Sequence, residues 1–354
     1  MNFSLTLIRW YKKNKRDLPW RKTRDPYLIW LSEIILQQTR VAQGLPYYLK
    51  FRKKFPSVRK LASAKEQEVL KLWQGLGYYS RARHLHATAK AVVKNYDGKF
   101  PTHYTELIKL KGIGEYTAAA IASITAEEPR PVVDGNVVRV LSRYFGIAGS
   151  IDSSSSRMKL VSLASGLMSN HSPSEFNQAM MEFGALQCIP KNPDCNLCPL
   201  KKSCFALAHS QVQILPVKKR KPKISARYFD YFIILSGKKI LMKKRMESDI
   251  WKNLYDFPMI ESTRLLRPEK LMHSEDAKKI FGKTKVNLKK LGDTQRHILS
   301  HQRLNARFWK VYSTEELFSI CTGSFISVNA NALENYPLPR LIERFLDKYN
   351  VFEN

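Results

Sequence analysis

The sequence predicts two domains of different class: an all-α domain over residues 1–210 and a mixed α/β domain over residues 227–354, joined by a basic linker at 211–226. Three observations predict this. A chain of 354 residues exceeds what one hydrophobic core ordinarily serves. Up to about residue 210 apolar residues recur at helical spacing with Gly or Pro at the joints, whereas after Ser225 the pattern changes to short strand-like runs bounded by turn residues. Finally, four of the five cysteines, Cys188, Cys195, Cys198 and Cys204, stand together near the end of the helical part.

The chain opens with a short apolar run, Met1 to Ile8, followed by Arg9, Lys12 and Lys13, which reverses the order of a secretory signal. No apolar run approaches membrane-spanning length, so a cytoplasmic protein with reduced thiols is expected. One helix starts at Asp25-Pro26, an N-cap followed by proline in the first turn, and continues through Leu28, Leu31, Ile34 and Ile35. Its Glu33 and Gln37 lie one turn apart on the same face.

Between two further helical segments lies Leu110-Lys111-Gly112-Ile113-Gly114-Glu115-Tyr116-Thr117. Its glycines allow a sharp turn with exposed N–H groups. Such a hairpin either grips phosphate, aided by the next helix's N-terminus, or is an ordinary joint between helices. Asp134 ends the apolar pair Val132-Val133 just before another helix, where a carboxylate serves as an N-cap or as a catalyst. The serine run Ser153 to Ser156 reads as a loop.

The four clustered cysteines are separated by six, two and five residues, with Pro190, Pro193 and Pro199 keeping the chain in tight turns. Four thiols within residues 188–204 can converge on one centre, and the set suits tetrahedral Zn²⁺ or a [4Fe-4S] cube. Lys218-Lys219-Arg220-Lys221-Pro222-Lys223 is a solvated charge run, bracketed by Pro216 and Pro222, and reads as a linker in preference to a phosphate-contacting strap. Beyond it, Tyr228 to Leu235 and Ile240 to Lys244 form a strand pair across Ser236-Gly237. Arg307 to Tyr312 is another strand and Leu338 to Tyr349 a closing helix. A formal net charge of +30, with sixteen Tyr and six Trp among the cations, favours a polyanionic partner whose bases stack on aromatic rings: nucleic acid.

The order of these features, a helix-hairpin-helix, then an aspartate, then Cys-x₆-Cys-x₂-Cys-x₅-Cys, resembles the iron–sulfur DNA glycosylases of the endonuclease III superfamily. That resemblance implies a [4Fe-4S] cluster on the four cysteines. Within the superfamily the chain is similar to the adenine-specific branch, whose members remove adenine mispaired with 8-oxoguanine. Trp30 to Thr39 resembles that branch's catalytic-acid helix, Gly75 to Arg83 its wedge loop, and the C-terminal domain its Nudix-like reader of the damaged base. Tyr116 stands where bifunctional relatives carry a Schiff-base lysine.

The resemblance implies roles that the chemistry also asks for. Adenine is a poor anionic leaving group unless an acid protonates it, the part of Glu33. The remaining sugar develops oxocarbenium character, which an ionised carboxylate, Asp134, stabilises. Asn136 would orient Asp134, Tyr116 shield the sugar, and Arg21 and Glu182 line the adenine pocket. Gln38 and Tyr78 would enter the duplex around the orphaned base, and Lys111, Gly112 and Gly114 would hold the backbone.

In the C-terminal domain, Trp251 to Pro258 resembles the Nudix entrance to the central helix, but the Mg²⁺-binding box is missing, which argues against a pyrophosphatase. Leu299-Ser300-His301 matches the loop that usually reads Phe-Ser-His and contacts 8-oxoguanine. Leu299 for phenylalanine, Lys111 for proline and Asn253 for glycine are departures from the family pattern. The implied partner is double-stranded DNA with A:8-oxoguanine or A:G mispairs, bound by a monomer. Two rivals are an endonuclease III type glycosylase and lyase, disfavoured by Tyr116 and the C-terminal domain, and a non-catalytic damage-binding protein, disfavoured by the presence of Glu33 and Asp134.

Overall fold

In a computed structural model the chain forms two compact units, Met1–Ser63 with His84–Lys221, and Ala64–Arg83 with Pro222–Asn354. The structure describes residues 2–149, 153–168, 171–217, 224–282, 284, 286–299, 301–312, 318–319, 325–349 and 351–352. The basic run Lys218 to Lys223 and Cys321 lie outside them. Among the described residues no helix is long and apolar enough to cross a membrane.

The first unit is helical. Its elements are α1 (Phe3–Asn14), α2 (Pro26–Leu36), α3 (Val41–Lys54) and α4 (Val58–Ser63). The chain then leaves through α5 (Glu66–Trp73), which belongs to the second unit, and returns along α6 (Ser80–Asn95). There follow α7 (Tyr104–Leu107), α8 (Glu115–Ala126), α9 (Gly135–Phe145), α10 (Ser154–Met168), α11 (Pro173–Leu186) and α12 (Phe205–Ala208). As expected, α2 starts with Asp25 accepting from the Tyr27 amide and Pro26 in the first turn. It is apolar nearly all round, and Ile29 to Ile35 are buried in one run, so it forms the central helix of the unit. Helix α8 packs on it and is lined with small buried side chains, Ala118, Ala119, Ala120 and Ala122. Phe3, Leu7 and Tyr11 of α1, Val137, Val140 and Leu141 of α9, and Phe176, Met180 and Phe183 of α11 share a second core.

The expected loop at Ser153 to Ser156 is instead the start of α10, because the Ser153 hydroxyl accepts from the Ser156 amide and supplies the cap.

The second unit is built on a sheet of β1 (Ser225–Ser236), β2 (Lys239–Lys244), β3 (Tyr255–Asp256), β4 (Met259–Ser262), β5 (Asn287–Ile298), β6 (Gln302–Tyr312) and β7 (Ile326–Asn329). The path β3-β2-β1-β6-β5 has β1 and β6 parallel, from Ser225 opposite Gln302 to Leu235 opposite Tyr312, and its other pairs antiparallel. β4 pairs with β1 and β7 with β2. The expected β1–β2 hairpin turns at Gly237, which has φ +53°. Helices α13 (Pro268–Met272), α14 (Glu275–Phe281) and α15 (Arg340–Lys348) cover the sheet, with Phe345 of α15 stacked on Phe308 at 3.6 Å. Buried Asp230 accepts from Arg307 at 2.7 and 2.9 Å and from the Trp309 indole at 2.8 Å, so its charge is paired.

The partition departs from a contiguous helical domain over 1–210 in one respect: residues 64–83 pack with the C-terminal part.

Candidate active site

Glu33 sits in the interior of α2 and is only 8% exposed. The backbone donors near it serve the helix, and its hydrogen bond comes from a side chain: the Tyr116 hydroxyl donates to Glu33 Oε2 at 2.9 Å. Burial pushes the Glu33 carboxyl up to about 7, and the nearby Asp134 charge adds to this. The Tyr116 hydrogen bond and the Arg21 charge oppose it. Burial, with Glu33 and Asp134 close by, holds the Tyr116 phenol well above its ordinary range, so it remains a donor.

Asp134 is the N-cap of α9. Its Oδ1 accepts from the Asn136 and Val137 amides at 2.9 and 2.8 Å, and its Oδ2 from Asn136 Nδ2 at 2.7 Å. Burial lifts this carboxyl above its usual range, while the three donors and Arg139 pull it back. Close packing makes the arrangement possible: on α11, a Cβ at Gly184 would stand 2.6 Å from that of Asn136, so only glycine lets the start of α9 come this near.

Asn136 is itself held. Its Oδ1 accepts from Arg139 at 2.9 Å, and the same guanidinium donates to the carbonyls of Gly184 at 2.6 Å and Cys188 at 2.7 Å. One turn on, Arg143 donates to the carbonyls of Ile189 at 2.7 Å and Pro190 at 3.0 Å and faces Cys188 Sγ at 3.5 Å. The backbone of the cysteine segment is thus tied through two buried arginines to the helix that Asp134 caps. Sequence reasoning missed both. At i and i+4 they lie on the side of α9 opposite Val137, Val140 and Leu141, where arginine reads as a solvated charge, so no sequence signal marked them.

Arg21 and Glu182 come together as a two-pronged pair, NH1 to Oε1 at 2.8 Å and NH2 to Oε2 at 2.7 Å. Arg16, which the sequence did not single out, adds its backbone amide at 2.8 Å and guanidinium contacts at 2.9 and 2.6 Å. Glu182 is 1% exposed and so is no helix-surface charge; despite burial these donors hold its carboxyl down at about 2. Arg21 is also close enough to act on Glu33.

The four clustered cysteines are partly buried free thiols. Burial lifts Cys188, Cys195 and Cys198, the last to about 11, and Cys198 also feels the charges of Cys188, Cys204 and Cys195. Among the described residues no three His, Cys, Asp or Glu side chains are drawn into a closed ligand set. The fit to a four-thiolate group therefore lies in the donors, their mutual proximity and the two arginines beside Cys188.

The hairpin residues Lys111, Gly112 and Gly114 are exposed. The Lys111 carbonyl accepts from the Thr88 hydroxyl at 2.6 Å. Gly112 has φ +78° and a Cβ there would meet His84 at 2.7 Å, so glycine is required; Gly114 caps α8 with ordinary extended backbone. Gln38 and Tyr78 are both exposed and both left-handed, with φ of +55° and +48°, a conformation that costs a non-glycine residue about 1 kcal/mol or more and that clusters at functional positions. The two lie in different compact units.

Asn253 has φ +68°, which explains why a family glycine is replaced by asparagine, the residue that best tolerates this region. At the β5–β6 turn the half-buried Leu299 donates its amide to the Gln302 carbonyl at 2.8 Å, and His301 is exposed. Ser300 lies outside the described residues.

Comparison with known proteins matches residues 31–164 to the HhH-GPD superfamily of base excision DNA repair proteins and residues 230–348 to the NUDIX domain. The adenine DNA glycosylase of Buchnera aphidicola subsp. Schizaphis graminum is 39% identical over 283 residues, covering 78% of this chain and 82% of that one. The adenine DNA glycosylase of Buchnera aphidicola subsp. Acyrthosiphon pisum is 35% identical over 353 residues and 99% of both chains. Among solved structures, a thermostable thymine-DNA glycosylase superposes with a TM-score of 0.54 at 32% identity, covering 58% of this chain and 95% of that one.

Proposed function

The chain belongs to the adenine DNA glycosylase family, a base-excision DNA glycosylase that hydrolyses N-glycosidic bonds, and we propose that it removes adenine paired with 8-oxoguanine or guanine in duplex DNA. The observation that carries this reading is one pair of carboxyls in contrasting settings. Glu33 is buried with a single hydroxyl donor and is lifted to about 7, while Asp134 receives three donors at a helix N-terminus.

Protonated Glu33 donates its proton to a ring nitrogen of the flipped adenine. The glycosidic bond then breaks, with its electron pair leaving on a neutral base. Ionised Asp134 stabilises the positive charge that develops on the sugar. Water adds to that carbon, the carboxylate of Glu33 takes its proton, and an abasic site remains. Tyr116 keeps Glu33 in place and offers no amine for a Schiff base, which supports a monofunctional enzyme over a lyase. Arg21 and Glu182 present a fixed donor and acceptor edge to adenine, and Gln38 and Tyr78 fill the vacated stack.

Cys188, Cys195, Cys198 and Cys204 would hold a [4Fe-4S] cluster. When bound, it supplies a covalent anchor for the segment that Arg139 and Arg143 tie to α9. Leu299, Ser300 and His301 are assigned to recognition of 8-oxoguanine, and Lys111, Gly112 and Gly114 to the DNA backbone. The enzyme is taken to act as a cytoplasmic monomer, its net charge of +30 drawing it to DNA.

The test is single-turnover cleavage of duplexes with adenine opposite 8-oxoguanine, guanine or thymine, each with and without alkali. Breaks that need alkali and form fastest opposite 8-oxoguanine are expected. Breakage without alkali at an oxidised pyrimidine, or no adenine release, overturns the reading.

A further inference from the structure

The Gly75–Tyr78 loop is built onto the second unit. In it Gly75, Gly77 and Tyr78 all have positive φ, at 97°, 75° and 48°. The glycines take such angles freely, but Tyr78 does not, and a strained non-glycine residue persists only where its surroundings over-determine it. Part of the hold is local: the Trp73 indole donates to the Gly77 carbonyl at 3.0 Å, and Arg81 lies over the Trp73 ring at 5.0 Å. The rest comes from the C-terminal part of the same unit. The Tyr79 hydroxyl accepts from the Gly75 amide at 3.4 Å and donates to the Leu338 carbonyl at 3.3 Å, and the Gln74 amide oxygen accepts from the Leu338 amide at 3.2 Å. Upstream in α5, Asn253 Nδ2 donates to Glu66. The Gln67 amide donates to the Asn335 carbonyl at 3.1 Å and accepts from the Tyr255 hydroxyl at 3.4 Å. Downstream, Arg83 donates to the Lys252 carbonyl at 2.9 Å. Both flanks of the loop are therefore fastened to two pieces of the C-terminal domain, the Trp251–Tyr255 turn and the Asn335–Leu338 segment.

We propose that these two pieces form a platform that positions Tyr78 as a wedge. The C-terminal domain then takes part in unstacking at any adenine mispair, including one with undamaged guanine, beyond reading the damaged base. The inference rests on the reading of Tyr78 as a residue that enters the duplex. It makes Gln67, Tyr79 and Asn253 positioning residues, and it places the two residues that flank the orphaned base, Gln38 and Tyr78, under separate control.

Two variants probe the platform without touching the wedge. Asn253→Gly combined with Gln67→Ala removes the α5 contacts, and φ +68° at position 253 suits glycine, so the backbone carries no new strain. Tyr79→Phe removes only the bridging hydroxyl. Tyr78→Ala serves as the control on the underlying reading. Adenine release is followed in single turnover from A:G and A:8-oxoguanine duplexes. Unstacking is followed by the fluorescence of 2-aminopurine beside the orphaned base in a duplex carrying a non-hydrolysable adenine analogue, and folding by thermal denaturation. The platform variants should lose about tenfold in rate on both mispairs, the equivalent of one or two hydrogen bonds at the transition state, with a smaller fluorescence rise and unchanged melting. If the double variant melts early, Tyr79→Phe decides. A loss confined to A:8-oxoguanine overturns the proposal, as do wild-type rates and fluorescence in the platform variants when Tyr78→Ala is slowed. Full rate and fluorescence in Tyr78→Ala would instead remove the wedge reading itself.

Discussion

Tyr116→Phe removes a single hydroxyl while keeping the ring, and its effect on the pH profile has a definite sign. The Tyr116 hydrogen bond favours ionised Glu33, against the burial that lifts its carboxyl to about 7. A hydrogen bond to a charged group is worth about 1.5–3 kcal/mol, and 1.36 kcal/mol moves a pKa by one, so its loss should raise the Glu33 carboxyl by about one to two pH units. Because the acid acts in its protonated form, the alkaline limb of the adenine-release profile should move to higher pH by the same amount. At pH 8 the wild-type acid is roughly one-tenth protonated and the variant's roughly half or more. Single-turnover rates on A:8-oxoguanine duplex between pH 5 and 10, each normalised to its own plateau, measure this whatever happens to the plateau. The same linkage acts on stability. A carboxyl lifted from 4.5 to about 7 costs the folded state up to about 3 kcal/mol once ionised. That stability is fully present below pH 4.5 and is lost as pH rises through 7; in the variant the loss extends further. An alkaline limb that stays put or moves down refutes the assignment of Glu33 as the acid tuned by Tyr116.

Asp134→Asn retains a residue that caps helices well, so melting should hardly change, while loss of the charge should lower the single-turnover rate by on the order of a thousandfold; equal losses of rate and stability would reduce Asp134 to a cap. Glu182→Gln leaves Arg16 and Arg21 facing a neutral group in a buried site and should cost about 3 kcal/mol in urea unfolding at pH 7. Because the Glu182 carboxyl is held at about 2, its contribution is present above pH 4.5 and lost as pH falls toward 2, so the variant should also show a flatter acid limb of stability. Gly112→Ala drives a Cβ to 2.7 Å from His84 at φ +78° and should destabilise the fold by about 1–3 kcal/mol. Gly114→Ala meets nothing within 4 Å and should leave melting unchanged yet weaken binding to any duplex, as gel-shift titration would report.

The elements that periodicity and turn chemistry specify were legible: α2 with its Asp-Pro start, the β1–β2 hairpin at Gly237, β6 and the closing helix all lie where the pattern puts them. β5 was not. Its Asn287–Ile298 run is mostly exposed or half-exposed, with a register shift between Leu291 and Gln295, so it carries no clean alternation. The allegiance of residues 64–83 was equally hidden, because their hydrogen bonds run to residues 252–338 and leave no local mark. Glu33, Asp134 and Tyr116, which the fold brings together, could be singled out because each sits in a motif. Arg16, Arg139 and Arg143 could not, since arginine ordinarily reads as surface and their burial depends on carbonyls and a carboxylate far along the chain.

Asp134 is a helix cap, and that placement is compatible with the catalytic role proposed for it. A side chain at an N-cap faces amides that have no partner within the helix, and here two of them, with the Asn136 side chain, counter the burial that lifts the carboxyl. Glu33 stands in the middle of α2, where every backbone amide is already committed one turn back, so burial meets the phenol of Tyr116 and the charge of Arg21 but no backbone donor, and prevails. Two carboxyls that act on each other are thereby sorted into an acid that keeps its proton near neutrality and an anion better supplied with donors. The sorting follows in part from depth, Glu33 being buried and Asp134 half-buried, and in part from placing one carboxyl inside a helix and the other at a helix start. Conversely, an acid moved to an N-cap would be pulled toward ionisation by those amides, and the base would lose its proton donor.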